Sequence, residues 1–572
     1  MTNAHRYSGG ERRSRRAVLR GAGLGVAGLA GAALIGCGSG DDEAPAGSAT
    51  TAPAASPAAG AATQAASGGP RPGGTLTIRG YDPAGWDSQK FLSYTTQIQS
   101  SYLYSKLTAF PFPGEGPSDF TPSPDLAESW ETPDELTYIF HLRPNAKWHN
   151  KPPVNGRDFV AEDVKYTLDR FLEIPENAQK YYFEDLASIE TPDSHTVTLK
   201  TAAPSAIILD NTANPFVWML AHEVAEKHGD FNTSEDVVGT GPWMLGEYTP
   251  DVGSTLVRNP DYFVEGRPYI DEVKYLSIAD ASTRFAQFAA GKLDVNALSW
   301  EELDEFKKQS PQARIEEYGS IAGFYLYMNV DNNAQLADER VRQAMSLGLD
   351  RQTFIAGFNN GKAAVGTAVP APLAFWHLPP EESGDGAKFF QFDQAEAKKL
   401  LDAAGFKDGL STQMIGYAYS PAWVEMAEWS VDQLSKIGIK VELQPLEYAN
   451  YISTAYGGGD QLKAMGWEPS TSYTTIDDYL YGVYHSTGGK NQSRVRDPEL
   501  DALVEKQRTL LDRNARREAV FDVQRYLAVK HYMIHMSYPV SLQAYQPWLK
   551  DVSAKNGYDQ GGRYINAWIE ST

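Results

Sequence analysis

Apolar and polar positions alternate with period two at 75–78 and 137–142, and again at 196–199 after the turn at Pro192 and Asp193. Such alternation predicts short half-buried strands. At Val160, Val164, Leu168 and Phe171 the spacing changes to three and four, an amphipathic helix. Farther on, a strand at 412–417, a helix at 421–437 stopped by Gly438 and a strand at 439–443 follow one another, as in an α/β lobe. A polar-faced helical stretch at 498–529 precedes apolar strands around 532–545. Asp338 and Asp350 stand where N-caps belong, and Asp393 with Glu396 three residues later has the form of a capping box, its helix closed by Gly405. Gly239 and Gly241 around Thr240 suit a backbone crossing that needs positive φ.

The first residues follow a different pattern. Ser14-Arg15-Arg16-Ala17-Val18-Leu19-Arg20 opens a weakly apolar, Gly- and Ala-rich run that ends in Leu34-Ile35-Gly36-Cys37. An arginine-rich start, a short apolar stretch and a small-residue cleavage point predict an export leader over 1–36. The run is a poor membrane span, because Arg20 intrudes and Leu, Ile and Val are few. Twin arginines Arg15 and Arg16 with a cysteine after the apolar stretch resemble a twin-arginine signal joined to a lipoprotein box, which implies cleavage before Cys37 and lipidation there. Two acyl chains suffice for stable anchoring. The same run contains Gly23-x-Gly25-x-x-Gly28, but with no strand before it the dinucleotide reading fails. From 37 to 72 the composition is Gly, Ala, Ser, Thr and Pro, a flexible tether.

Cys37 is the only cysteine of 572 residues, so no intrachain disulfide is possible and stability must come from a large core. The formal charge of −22 argues against nucleic-acid partners. His222-Glu223-Val224-Ala225-Glu226-Lys227-His228 has its histidines six apart, too far for H-E-x-x-H. His531 and His535 can share a face, but lone histidines of this kind are more often structural. Neither a nucleophile elbow nor a phosphate loop is present. The expectation is therefore a protein without metal or cofactor that is not an enzyme. A secreted hydrolase using an unidentified carboxylate pair is the outside alternative.

From residue 73 onward the chain resembles the peptide/nickel-type (family 5) extracellular solute-binding proteins of ABC importers. The matching pieces include Leu126-Ala127-Glu128-Ser129-Trp130-Glu131, Leu142-Arg143-Pro144-Asn145-Ala146-Lys147-Trp148-His149 and Val238-Gly239-Thr240-Gly241-Pro242-Trp243. They continue with Arg258-Asn259-Pro260-Asp261-Tyr262-Phe263, Gly291-Lys292-Leu293-Asp294 and Arg340-Val341-Arg342-Gln343-Ala344. The resemblance implies an α/β, two-lobed periplasmic-binding-protein-like fold of type II, the large cluster with an extra domain, around a hinged cleft. Its parts would be lobe I at 73–117, 239–318 and 541–572, the extra domain at 118–238 and lobe II at 319–540. It further implies a monomer on the outer face of the cytoplasmic membrane, in the periplasm or at the cell surface, delivering a small ligand to permease subunits.

Peptide-binding relatives hold the ligand's free amine with an aspartate three residues after a Gly-Trp pair. Here Gly466-Trp467-Glu468-Pro469-Ser470 puts Ser470 there. A buried ammonium needs a counter-charge, and Glu468, Asp477 and Asp478 are the acidic residues nearest in sequence. Trp467, Trp86, Trp376 and Trp423 suggest a second ligand class, oligosaccharides, since an indole face stacks on a sugar ring. Trp130 and Trp148 read as core. Tyr94 and Tyr538 are further candidates for the cleft wall.

Overall fold

A computed structural model describes residues 69–111, 120–418, 420–456, 462–470, 473, 475–554 and 557–570, with the side chains of 448, 449 and 456 excepted. The leader with Arg15 and Arg16, Cys37 and nearly all of the tether lie outside the described residues, as does the 117/118 boundary. No helix among the described residues is long and apolar enough to cross a membrane.

The first sheet sets Thr75–Gly80 parallel to Glu272–Ser277, with Gly253–Arg258 and Trp243–Thr249 added antiparallel. Alternation buries Leu76 and Ile78 against helix Tyr94–Leu103 and the aromatic group Tyr102, Trp243, Tyr275 and Tyr564. A separate antiparallel sheet follows, in the order Ala127–Asp134, Thr137–Leu142, Thr196–Thr201, Leu186–Asp193. Helix Ala161–Glu173 covers it with Val164, Leu168 and Phe171, the positions whose spacing predicts the helix. Trp148 is fully buried here, its indole N–H donating to Asp163 at 3.0 Å, while Trp130 is only half-buried.

The largest sheet is organised by one long strand, Met533–Tyr545. Its first half pairs with Phe324–Met328 and Ala363–Val365, its second half with Arg314–Gly319 and Val295–Leu298. Phe324–Met328 continues through Met465–Pro469 and Leu410–Tyr417 to Ile439–Leu446, the last two parallel and joined by helix Pro421–Lys436. Met533–Tyr545 thus joins the two halves of this sheet, with 319–324 and 537–541 lying side by side at their junction. The 318/319 and 540/541 boundaries fall inside continuous strands.

Asp338, Asp350 and Asp393 each cap a helix by accepting backbone N–H groups. Two expectations need correction. The 498–529 stretch is two helices, Pro498–Arg508 and Arg513–Lys530, because Asp512 caps the second by accepting from Ala515. Gly239 and Gly241 do not have positive φ. They are glycines because of close approach: a Cβ on Gly239 would lie 1.9 Å from the Leu103 oxygen, and one on Gly241 2.5 Å from the Leu103 carbonyl carbon. His149 locks this crossing. Its Nδ1 accepts from the Gly239 N–H at 3.1 Å and its Nε2 lies 3.0 Å from the Gly241 oxygen. Burial lowers its pKa to about 4.

Candidate ligand-binding cleft

The lobe II wall is set by the pleat of Met465–Pro469. Alternate side chains leave opposite faces of a strand, so Met465 and Trp467 enter the lobe II core while Gly466 and Glu468 face the other way. Trp467 is fully buried, stacked on Phe324 (centroids 6.2 Å) with Phe354 edge-on at 5.8 Å. Its ring faces are occupied by protein, which removes the stacking role expected of it. Gly466 makes room for Tyr327, whose ring would lie 2.2 Å from an added Cβ. Glu468 accepts from the Tyr325 hydroxyl and from Gln492 Nε2, both at 2.6 Å. Ser470 closes the strand: its Oγ accepts from the Gly323 N–H at 2.7 Å and its own N–H donates to the Gly323 oxygen at 2.6 Å. The Tyr538 hydroxyl hydrogen-bonds Ser470 and donates to the Thr367 carbonyl at 3.0 Å. Tyr538 and Ser470 therefore meet at the point where the chain crosses between lobes.

Asp477 and Asp478 do different work from Glu468. Asp478 begins a π-helical turn, Asp478–Gly482, and is completely buried. One carboxylate oxygen accepts from the Tyr181 and Tyr182 hydroxyls, each at 2.7 Å, and from Lys490 Nζ at 3.1 Å; the other accepts from Asn214 Nδ2 at 3.0 Å. Tyr181, Tyr182 and Asn214 come from 118–238, the span expected as an extra domain, so this carboxylate ties that span to the turn at Asp478–Gly482. Burial pulls the Lys490 pKa down, opposed by Asp478. The Lys490 ammonium lies 4.2 Å from the Tyr473 ring centre and 5.4 Å from that of Phe216. Asp477 accepts from Gln507 at 2.8 Å, with Arg508 at 3.5 Å; its second oxygen is buried without a hydrogen bond. Burial raises its pKa, opposed chiefly by Arg508.

The lobe I wall is aromatic. Ser93 caps helix Tyr94–Leu103, which places Tyr94 on the first turn. The residue is 38% exposed, yet its ring is edge-on to Tyr81 at 5.6 Å and to Tyr558 at 5.4 Å. Crowding by protein raises the pKa of its hydroxyl, so an accessible ring and a desolvated hydroxyl coexist, as on the wall of a crevice. Tyr558 in turn meets Phe216 edge-on at 5.2 Å, linking this wall to the extra domain. Trp86 is half-buried against Tyr248. Trp376 is buried beneath the Arg513 and Arg516 guanidinium groups, and Trp423 is half-buried beside Phe324 and Tyr417.

The structure thus brings Ser470 and Tyr538 together, places Glu468 on the same lobe II wall, and carries Asp477 and Asp478 to the domain junction. Sequence reasoning missed Lys490, Tyr181, Tyr182 and Asn214, which lie 264 to 297 residues from Asp478 or, for Lys490, in a loop. His531 and His535 are buried, their pKa values lowered to about 3 by burial, with Tyr484 hydrogen-bonded to His535 at 2.9 Å. Among the described residues no group of three His, Cys, Asp or Glu side chains is arranged to hold a metal ion.

Residues 121–491 match the family of bacterial extracellular solute-binding proteins, family 5 (middle), and the chain belongs to that family. It is 27% identical over 504 residues to heme-binding protein A of Haemophilus influenzae, covering 83% of this chain and 89% of that protein. It is 28% identical over 468 residues to the dipeptide-binding protein of Escherichia coli, covering 76% and 84%. Among solved structures it resembles the periplasmic binding protein DppA of Helicobacter pylori in complex with the peptide STSA, with TM-score 0.76 and 22% identity over 88% of this chain and 99% of that one. These likenesses give the two-lobed fold of the family. The matched relatives are substrate-binding proteins rather than enzymes.

Proposed function

We propose that this chain is an extracytoplasmic receptor that captures a peptide-like ligand between its lobes and hands it to the permease of an ABC importer. It acts as a monomer, exported by the Arg15–Arg16 leader and held at the membrane by lipid on Cys37. The observation that carries the ligand class is Glu468. It puts a carboxylate on the lobe II wall, two residues before Ser470, with its orientation fixed by neutral donors Tyr325 and Gln492. A carboxylate so held can receive a ligand ammonium through a charge-assisted hydrogen bond. The named relatives, several of them dipeptide- or di/tripeptide-binding proteins, support the same class. The oligosaccharide alternative is the weaker one, because the faces of Trp467 and Trp376 are covered by protein.

The test is a thermal-shift screen of the full chain carrying Cys37→Ser, against di- to pentapeptides and against neutral oligosaccharides. Ligand at 100 times its Kd stabilises by about 2.7 kcal/mol, a shift of a few degrees. A response to free-amine peptides that is lost on N-acetylation and in Glu468→Gln supports the reading. A response to sugars alone overturns it. Labelled fatty acid entering the native chain but not the Cys37→Ser variant tests the anchor.

A further inference from the structure

Two arginines stand on the lobe I wall without an acidic partner. The Arg79 guanidinium lies 4.4 Å from the centre of the Tyr81 ring, which is edge-on to Tyr94. The Tyr94 hydroxyl accepts from Gln560 Nε2 at 2.9 Å, and Gln560 Oε1 accepts from Arg563 Nη2 at 2.7 Å. Arg79 and Arg563 therefore flank the Tyr81–Tyr94 pair, one on the first strand of lobe I and one on its C-terminal segment. In each, Nε is buried and makes no hydrogen bond, and no carboxylate among the described residues forms an ion pair with either. Tyr545, within reach of the Arg563 charge, also has a buried hydroxyl with no partner.

In this chain 73 acidic residues outnumber 51 lysines and arginines. Desolvated guanidinium groups ordinarily find carboxylates, and leaving a buried donor unmet carries a cost. Both residues are only half-buried and lie near the exposed Tyr94, and Arg563 also hydrogen-bonds the Tyr564 hydroxyl.

We propose that Arg79 and Arg563 form a subsite for an anionic group of the ligand, a carboxylate, on the lobe I wall. The proposal rests on the reading that a ligand is held between the lobes, and it orients that ligand. An ammonium meets Glu468 on lobe II, while the carboxylate reaches the arginines of lobe I, whose planar forks suit it.

The experiment compares matched acid and neutral probes on the Cys37→Ser full chain by thermal shift and calorimetry. One pair is di- to pentapeptides as free acids against their C-terminal amides; the other is oligogalacturonates against neutral galacto-oligosaccharides. The expected result is an acid probe binding about tenfold or more tighter than its neutral counterpart. Arg563→Met and Arg79→Met should each shrink that preference, the double variant to within about twofold, while Arg563→Lys retains part of it. Should Arg563→Met fail to fold, Arg79→Met and Arg563→Lys decide. No acid preference in the parent chain, or a full preference in the double variant, overturns the subsite. Equal binding of peptide acids and amides discards the arginines but keeps peptide capture. A preference confined to the sugar acids keeps the arginines and discards peptide capture.

Discussion

The junction at Asp478 and the wall at Tyr94 are both rich in tyrosine and charge, but they are finished to different degrees. At the junction a buried carboxylate has four partners and its lysine counter-charge is enclosed by two rings. At the wall two guanidinium groups each have a buried Nε without a hydrogen bond, and Tyr94 remains exposed. The Asp478 carboxylate holds its neighbours in place because its own desolvation is compensated within the protein, although Asp477 Oδ2 and Asn214 Oδ1 beside it stay buried without a hydrogen bond. At the wall the unmet Nε atoms of Arg79 and Arg563 stand near the exposed Tyr94 instead. Charge alone does not mark a binding site; unmet hydrogen-bonding capacity beside accessible surface does.

The sharpest way to break this contrast is at Asp478. Asp478→Ala should destabilise the chain by about 3–5 kcal/mol, since the Lys490 ammonium would be left buried and uncompensated. Urea unfolding measures this, and Asp478→Ala with Lys490→Met should recover a good part of the loss. Recovery of nothing would show that the tyrosines, rather than the ion pair, carry the junction. Trp467→Ala should cost about 3–5 kcal/mol as a core cavity while leaving ligand affinity nearly unchanged in the folded fraction. A large loss of affinity at little cost in stability would return Trp467 to the cleft.

Acid should weaken the fold by a smaller increment. His531 and His535 are held neutral to about pH 3, whereas the unfolded chain protonates them near pH 6.5. The unfolded state then binds more protons, so stability falls as pH drops from about 6.5 towards 3, by roughly 1 kcal/mol per pH unit for each group. Asp125, raised to about 6 by burial, works in the opposite sense: its contribution is full below the ordinary carboxylate range and is lost as pH rises through about 6. Urea midpoints from pH 4 to 7 should rise with pH, and His535→Gln should flatten the slope. Tyr94→Ala, the mildest change, should leave the unfolding midpoint within about 1 kcal/mol and weaken ligand binding several-fold. An unchanged affinity would remove Tyr94 from the wall.

Local chemistry was legible where neighbours in sequence are neighbours in space. The Val160–Val164–Leu168–Phe171 spacing, the caps at Asp338, Asp350 and Asp393, and the Leu410–Tyr417 and Ile439–Leu446 strands all follow from short-range periodicity and hydrogen bonding. The glycines at 239 and 241 were recognised as special, but for the wrong reason. Their constraint is the Leu103 carbonyl, which lies far away along the chain.

The sequence by itself determined the kinds of elements, their order, the family and the lone cysteine set behind an export-like leader. Tertiary structure alone decided that Trp467 enters the core while Glu468, one residue on in the pleat, takes the opposite face with Tyr325 and Gln492. It alone decided that Asp478 meets Tyr181, Tyr182 and Asn214, and that Arg79 and Arg563 flank one tyrosine pair. Those pairings span hundreds of residues, and no local propensity encodes them. They exist because the fold brings distant segments of the chain into contact.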